Sequence, residues 1–329
     1  MHNKKRGRRA EGPEDIPSPG WLDIVWRVKR ELEYDRVTLL AAGVAFYALL
    51  ALFPAIAAVI ALWAVLLDPA DISQQMQEVS RFIPPGAASL INEQTRKVVE
   101  NTEAGLSITA IGSTLVAMFV ASKGVRGLMV GLNAVYGEEE KRGIVMRNLM
   151  VAALTLGLIV MTLVSIAFVA ILPLAIELVG MASPYDMIIG WLRWPALLVV
   201  MSLVIAMLYR FAPYRRAPRW EWISIGTMLA TFLWLLGSGG LSLYVRYVSN
   251  FSELYGSLGA VVVLMLWFWL SAFAVLMGAE INGEMERQTC RDSTVGKERP
   301  MGERGAYAAD TVGNKHPSFR KKGKHGNHH

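Results

Sequence analysis

The chain lacks the residues on which most redox and metal sites are built. It contains one cysteine, Cys290, so an internal disulfide and a cysteine-rich metal site are both excluded. All of its histidines lie near the two ends of the chain, at His2, His316, His325, His328 and His329. We therefore expect no metal, no cofactor and no histidine-based catalysis within the long apolar region between them.

Charge is also scarce. Charged residues make up 18% of the chain, against about 25% in ordinary soluble domains, while 53% of the residues are hydrophobic. The charges gather in short clusters of lysine and arginine between long uncharged runs. Because a lipid bilayer demands this separation, the composition predicts an all-α integral membrane protein.

Six segments are apolar and long enough to cross a bilayer. The predicted spans are residues 37–67, 106–133, 148–176, 187–209, 222–245 and 255–279. At about 1.5 Å per residue, each can cross or nearly cross a hydrocarbon core of roughly 30 Å. We therefore predict a bundle of about six transmembrane helices over residues 37–284.

The distribution of basic residues predicts how this bundle is oriented. With six crossings, 28 of the 33 lysines and arginines lie on the side that holds both termini. Positive charge is retained on the cytoplasmic side of bacterial membranes. We therefore expect both termini in the cytoplasm and the protein in the inner membrane.

Four segments lie outside the predicted spans. Residues 1–20 and 285–329 are polar and lack apolar periodicity, which predicts a disordered basic arm and a disordered tail. Residues 21–36 have an apolar stripe, which predicts an interfacial helix with Arg27, Lys29 and Arg30 facing anionic headgroups. Residues 68–105 contain two amphipathic patterns, which predict an external helical hairpin.

Several strings resemble the YihY/BrkB family of bacterial inner-membrane proteins. They are AAGVAFYALLALFP at 41–54, GLNAVYGEEEKR at 131–142, RFAPYRRAPRW at 210–220, LYGSLGAVVVLMLW at 254–267 and GAEIN at 278–282. The resemblance covers residues 35–284. It implies a six-helix inner-membrane protein from a family once labelled ribonuclease BN and also described as transporters or virulence factors.

Four ionisable residues near the predicted cytoplasmic ends of the spans form the first candidate site. Glu280 ends the sixth span, and Lys123, Arg126 and Arg210 end the second and fourth. Charges at membrane depth are costly unless they are paired. We therefore predict a charge cluster that links these spans, either as a structural clamp or as a functional gate.

A second candidate is the arginine string between spans four and five. Arg215, Arg216 and Arg219 are predicted at headgroup depth, where their planar guanidinium groups suit phosphate oxygens. They can act as a topology determinant, or as a recognition site for an anionic lipid or solute.

Two predicted spans contain residues that interrupt helices. Pro54 lies in the first span, and Gly237, Gly239 and Gly240 lie in the fifth. Broken helices expose backbone groups that transporters use to bind substrate, and these residues are therefore candidate helix breaks. The alternative is a simple bend at the proline and close helix packing at the glycines.

The sequence leaves three functions open. A transporter or flippase-like permease for an anionic or lipidic substrate suits the basic loops and the predicted breaks. A non-catalytic scaffold or assembly factor is the alternative. A membrane ribonuclease is disfavoured, because Glu138, Glu139 and Glu140 stand beside Lys141 and Arg142 as a solvated charged loop. The expected partners are the bilayer, its anionic headgroups and an unidentified substrate, with no specific nucleic acid; the oligomeric state stays open.

Overall fold

The computed structural model describes residues 6–66, 108–178, 185–247 and 258–316, and these residues are largely helical. The helices are α1 Ser18–Tyr34, α2 Val37–Leu66, α3 Ile108–Val135, α4 Ile144–Leu178, α5 Tyr185–Phe211, α6 Trp220–Tyr247, α7 Gly259–Glu286 and the short α8 Tyr307–Asp310. The described residues form no strand beyond one isolated bridge between Pro218 and Thr294. The predicted all-α class is confirmed.

Several of these helices are long and apolar enough to cross a membrane. In the described part of the chain four qualify: Thr114–Val135 of α3, Ile144–Ser165 of α4, α6 and α7. Helix α1 and residues Val37–Leu52 of α2 qualify together as a fifth, bent by 59° at their junction. Large apolar side chains such as Leu115, Phe119 and Leu149 point outward, as lipid-facing residues do. The predicted hairpin 68–105 lies outside the described residues, and the orientation of the termini stays a prediction.

Helix α7 is the centre of the bundle, in contact with α1, α2, α3, α6 and α8. Its closest neighbour is α6, where Gly226 and Gly278 face each other and a Cβ on either would collide with the backbone oxygen of the other. Asn282 fixes this crossing, because its Oδ1 accepts from the Gly226 N–H at 2.9 Å and its amide donates to the Ile223 carbonyl. Residues on α7 therefore touch most of the fold.

The predicted helix breaks are absent from the described helices. Helix α2 continues through Pro54, and α6 continues through Gly237, Gly239 and Gly240. Gly237 leaves room for the side chain of Leu270 on α7, which supports the close-packing alternative there, whereas Gly239 and Gly240 face open space. A proline removes one helical hydrogen bond and a glycine weakens a helix, and neither ends α2 or α6 here.

The N-terminal arm is folded from Arg6 onward, so the prediction of disorder for 1–20 is wrong over 6–20. Ala10 and Ile16 are buried against Trp222 and Met285. Helix α1 begins at Ser18, and its Arg27 is 0% exposed instead of facing headgroups. The face of α1 that carries Arg27 is therefore packed against the protein, whereas Leu22 and Val25 on the rest of the helix are exposed.

The C-terminal segment, residues 287–316, is also folded, which corrects the predicted disorder of the tail up to residue 316. Gln288, Thr289 and Arg304 are buried. Ala308 packs into the hydrophobic core, and buried arginines also hold this segment in place by donating to its backbone carbonyls. Arg8 donates to the Gly313 carbonyl at 2.6 Å, and Arg304 donates to the Ala309 carbonyl at 2.7 Å. Such donors satisfy an irregular backbone that has no helix or sheet to pair it.

Candidate functional site: an acidic pocket at three helix ends

A pocket of about 260 Å³ lies where three helices end. Helices α1, α3 and α7 all terminate at its wall, and α8 covers part of it. Its lining consists of Glu31, Tyr34, Asp35, Ala134, Val135, Tyr136, Gly137, Glu280, Gly283, Glu284, Arg287, Tyr307 and Ala308. The carbonyl end of each helix carries a partial negative charge, so three such ends make the pocket electronegative before any side chain is counted.

Four carboxylates add to this negative charge, and two of them already have cations. Glu284 is paired with both Arg27 and Arg287. Glu31 is 2.6 Å from the Arg30 guanidinium and 3.9 Å from that of Arg287. These pairs neutralise one side of the pocket.

The other two carboxylates, Asp35 and Glu280, have no cation within ion-pair distance among the residues that the structure describes. Glu280 is 2% exposed, and its Oε2 has no hydrogen-bond partner. Burying an unsatisfied carboxylate oxygen costs about 1–3 kcal/mol or more. The protein therefore tolerates a cost at this position that an apolar side chain such as methionine would avoid.

The α1–α2 junction places Asp35 at the edge of the pocket. The next residue, Arg36, has a positive φ of 51°, which is uncommon for a residue with a side chain. This conformation produces the sharp bend between α1 and α2. Strained backbone of this kind concentrates at functional sites, where the surrounding structure holds it in place.

Burial, together with the neighbouring charge of Glu31, raises the pKa of Asp35 from 3.8 to about 6. The ionised form is therefore penalised in the folded protein, fully above pH 6 and not at all below pH 3.8. We expect Asp35→Asn to raise the free energy of unfolding by about 1 kcal/mol at pH 8, a figure reduced because the side chain is only half-buried. The gain should vanish near pH 4.

Thermal unfolding in detergent micelles across this pH range measures the effect. The exposed neighbour Glu33, changed to glutamine, is the matched control and should show no such pH dependence. An equal stability difference at pH 8 and pH 4 would contradict the assigned pKa.

The predicted charge cluster is not assembled in the structure. Lys123 lies 4.8 Å from the Phe119 ring, Arg126 donates to Asn148 at 2.6 Å, and Arg210 lies 4.6 Å from the Trp220 ring. Each cation thus has a partner near its own helix end, and within the described residues none of the three pairs with Glu280. Glu280 faces α1 and the C-terminal segment instead, which is a correction to the sequence-based interpretation.

The predicted headgroup arginines also lie elsewhere. Arg215 has a side chain 0% exposed and pairs with Glu286 at 2.6 Å. Arg216 donates to the Lys297 carbonyl, and Arg219 donates to the Thr294 carbonyl. Arg216 and Arg219 thus hold the C-terminal segment against the loop between α5 and α6, and Arg215 holds the end of α7 against the same loop. The prediction of phosphate contacts is therefore wrong for Arg215 and is replaced by protein contacts for the other two.

Arg215 belongs to a buried network beside the pocket. Its guanidinium lies 4.7 Å from the centre of the Tyr136 ring, and Glu286 also accepts from the Ser293 hydroxyl at 2.6 Å. The negative charge of Glu286 raises the pKa of Arg215 against the opposing effect of burial. This network joins α3, the α5–α6 loop, α7 and the C-terminal segment.

The acidic loop that sequence reasoning weighed as a nuclease site is occupied by structural contacts. Glu140 accepts from Asn133 and Arg142, and Glu138 accepts from the backbone N–H of Tyr307 at 2.7 Å. No group of three histidine, cysteine, aspartate or glutamate side chains in the described part of the chain is placed to hold a metal ion.

Sequence reasoning named Glu280 but missed the rest of the pocket. A signal was present in two pairs of acids at helical spacing i, i+4: Glu31 with Asp35, and Glu280 with Glu284. Like charges at this spacing destabilise an isolated helix, so each pair needs a compensating environment. The contribution of Tyr307 has no comparable signal, because it comes from a segment predicted to be disordered.

Comparisons with known proteins agree with this architecture. The YfkH protein of Bacillus subtilis strain 168, which bears a ribonuclease-like name, is 29% identical over 256 residues, covering 75% of this chain and 90% of the relative. A UPF0761 membrane protein of Cronobacter sakazakii is 26% identical over 271 residues, covering 81% and 88%. One from Aliivibrio fischeri strain MJ11 is 27% identical over 272 residues, covering 81% and 84%. No solved structure matches the chain significantly.

The sequence profile of the family described as Virulence factor BrkB matches residues 28–302. The match extends beyond the predicted boundary at 284 and includes the first part of the C-terminal segment, up to residue 302. It also includes all four pocket carboxylates. The resemblance drawn from the sequence strings is confirmed, and this multi-pass membrane protein belongs to the BrkB family.

Proposed function

We propose that the protein is a permease of the bacterial inner membrane and that the acidic pocket is the entrance to its substrate path. A single observation carries the proposal: a polar pocket reaches a buried, unpaired carboxylate, Glu280, on the central helix. A transported substrate must desolvate at such a place and find a partner there. The substrate that we propose is a small solute or a lipid headgroup.

Two further features support a permease over a scaffold. A scaffold gains nothing from an unsatisfied carboxylate in its interior, and a sealed apolar core would be more stable. Glu280 also lies on α7, which contacts α1, α2, α3, α6 and α8. A change in the occupancy of the pocket can therefore alter the packing of most of the bundle, as alternating access requires.

The inner membrane and the cytoplasmic position of the pocket are part of the proposal. They are supported by the excess of lysine and arginine on the pocket side, 28 of 33 residues under six crossings. The substrate would then meet the pocket from the cytosol or from the inner leaflet.

Reconstitution into liposomes tests the proposal. We expect purified protein to move a fluorescent phosphatidylethanolamine or a radiolabelled amine faster than protein-free vesicles do. Glu280→Gln keeps the shape of the side chain but cannot ionise, and it should reduce the rate at least tenfold. Glu139→Gln, whose side chain is 85% exposed in the parent protein, is the control and should leave the rate unchanged.

Two results would overturn the permease. One is a folded protein that moves none of these probes while a protein partner co-purifies with it, which favours the scaffold. The other is metal-dependent RNA cleavage that persists through stringent purification and is lost on substitution within Glu138–Glu140, which favours the nuclease. RNA binding alone decides nothing, because a basic protein binds phosphates without specificity.

A further inference from the structure

We infer that the acidic pocket binds an organic cation through its ammonium group. The inference builds on the proposed permease, whose substrate class it would name. Binding is measured separately from transport, so that either can fail without the other.

The side-chain charges that remain unpaired in the pocket are negative. Two carboxylates, Asp35 and Glu280, remain without cations after the other acids are paired with arginine. The C-terminal turns of three helices, which carry partial negative charge, line the same space. An anion would meet repulsion from every side except that of Arg287, which is already paired with Glu284.

Glu280 has a carboxylate oxygen without a hydrogen-bond partner among the described residues. Glu280 is 98% buried, by its exposure of 2%, and it lines the pocket with Oε2 unpartnered. An ammonium group donates up to three hydrogen bonds, so it can bond the Glu280 carboxylate and a second acceptor at once. A buried carboxylate at the wall of a cavity is the expected binding partner of such a ligand.

The geometry of the pocket favours an organic cation over a metal ion. In the part of the chain that the structure describes, no three carboxylates or histidines converge at metal-ligand spacing. The volume of about 260 Å³ corresponds to several water molecules at about 30 Å³ each. The pocket is therefore large enough for an amine together with its carbon atoms. Its carboxylates do not converge as the ligands of a bare metal ion must.

Two tyrosine side chains form part of the pocket wall. Tyr34 and Tyr307 line the pocket, and the guanidinium of Arg287 already lies 5.6 Å from the centre of the Tyr307 ring. Aromatic faces attract ammonium and guanidinium groups by about 0.5–2 kcal/mol. Acidic and aromatic side chains together are the usual chemistry of amine recognition.

The ammonium group can belong to a soluble amine or to the headgroup of phosphatidylethanolamine. The test uses the full chain in nanodiscs of phosphatidylglycerol, which contain no amine. One arm titrates putrescine or ethanolamine and measures heat and thermal stability; the other replaces part of the lipid with phosphatidylethanolamine. Potassium chloride at equal ionic strength controls for screening.

We expect saturable binding in at least one arm, weakened at least tenfold by Glu280→Gln and unchanged in Glu139→Gln. Binding in the first arm alone assigns a soluble amine, and binding in the second alone assigns the lipid headgroup. Because Glu280→Gln can disturb folding, Asp35→Asn at the half-exposed edge of the pocket is the second variant. Protection of Asp35 from carbodiimide labelling by putrescine, or by phosphatidylethanolamine in the nanodisc, gives a readout on the unaltered protein.

The inference is overturned if neither amine source binds, or if potassium ions produce the same stabilisation. It is also overturned if both pocket variants fold and bind as the parent does. Amine binding without transport would leave the inference standing and reject the permease. Transport without amine binding would support the permease and overturn the inference.

Discussion

Replacement of Arg27 by alanine is expected to lower the free energy of unfolding by about 3–5 kcal/mol, the usual cost of breaking a buried ion pair. The Arg27 guanidinium is 0% exposed and pairs with the Glu284 carboxylate. It also donates to the Glu284 carbonyl at 2.9 Å, to the Gln288 side chain at 2.8 Å and to the Asn314 carbonyl at 2.9 Å. Its removal therefore leaves buried acceptors on α7 and on the C-terminal segment without donors.

Unfolding by increasing dodecyl sulfate in mixed micelles, followed by tryptophan fluorescence, measures the loss of stability. The C-terminal segment should also become a substrate for trypsin, because the Asn314 carbonyl loses the donor that Arg27 provides. Lys29→Ala, at an exposed position of the same helix, is the matched control and should change stability by less than about 0.5 kcal/mol. Equal stability of the Arg27 and Lys29 variants would restore the interpretation of α1 as an interfacial helix.

Arg27→Lys separates charge from geometry. Lysine keeps the positive charge but has a single ammonium group, so it cannot reach the four acceptors that the planar guanidinium serves. We expect a stability between those of the parent and the alanine variant.

The helical bundle was predictable because lipid restricts the possibilities. A segment that crosses a bilayer must satisfy its own backbone hydrogen bonds, so an uncharged run such as Val37–Leu66 can hardly be anything but a helix. The same reasoning does not extend to the two ends of the chain. There the backbone is irregular, and its partners are arginines far away in sequence, as with Arg8 and Gly313. From composition alone, such arginines cannot be distinguished from charged residues that are exposed to solvent.

The candidate site was predictable only in part, for a related reason. Glu280 stands out because it is an acid at the end of an apolar run, but its partners depend on which helices meet there. Asp35 reaches the pocket through a bend at Arg36 whose left-handed backbone has no sequence signature, because the residue is not glycine. The three arginines after α5 have the composition of headgroup contacts, and only the folded C-terminal segment reveals their protein partners.

The pair of Arg215 and Glu286 permits a test of whether Arg215 contacts protein or lipid headgroups. Arg215→Ala and Glu286→Ala are each expected to lower the free energy of unfolding by about 3–5 kcal/mol, because each leaves a buried charge without its partner. The double variant should lose much less than the sum of the two single losses. A double-mutant cycle in mixed micelles measures this coupling, which we expect to exceed about 1.5 kcal/mol.

The ion pair of Lys141 and Glu139 provides the control, since its side chains are 67% and 85% exposed and their atoms are 3.7 Å apart. A pair of this kind contributes about 0–1 kcal/mol, so its cycle should give little coupling. If Arg215 instead contacted phosphates, its stability effect would depend on anionic lipid and would be independent of Glu286. Coupling as small as in the Lys141 cycle, together with a loss of stability that anionic lipid reverses, would therefore indicate that Arg215 lies at the membrane surface and does not hold the α5–α6 loop to α7.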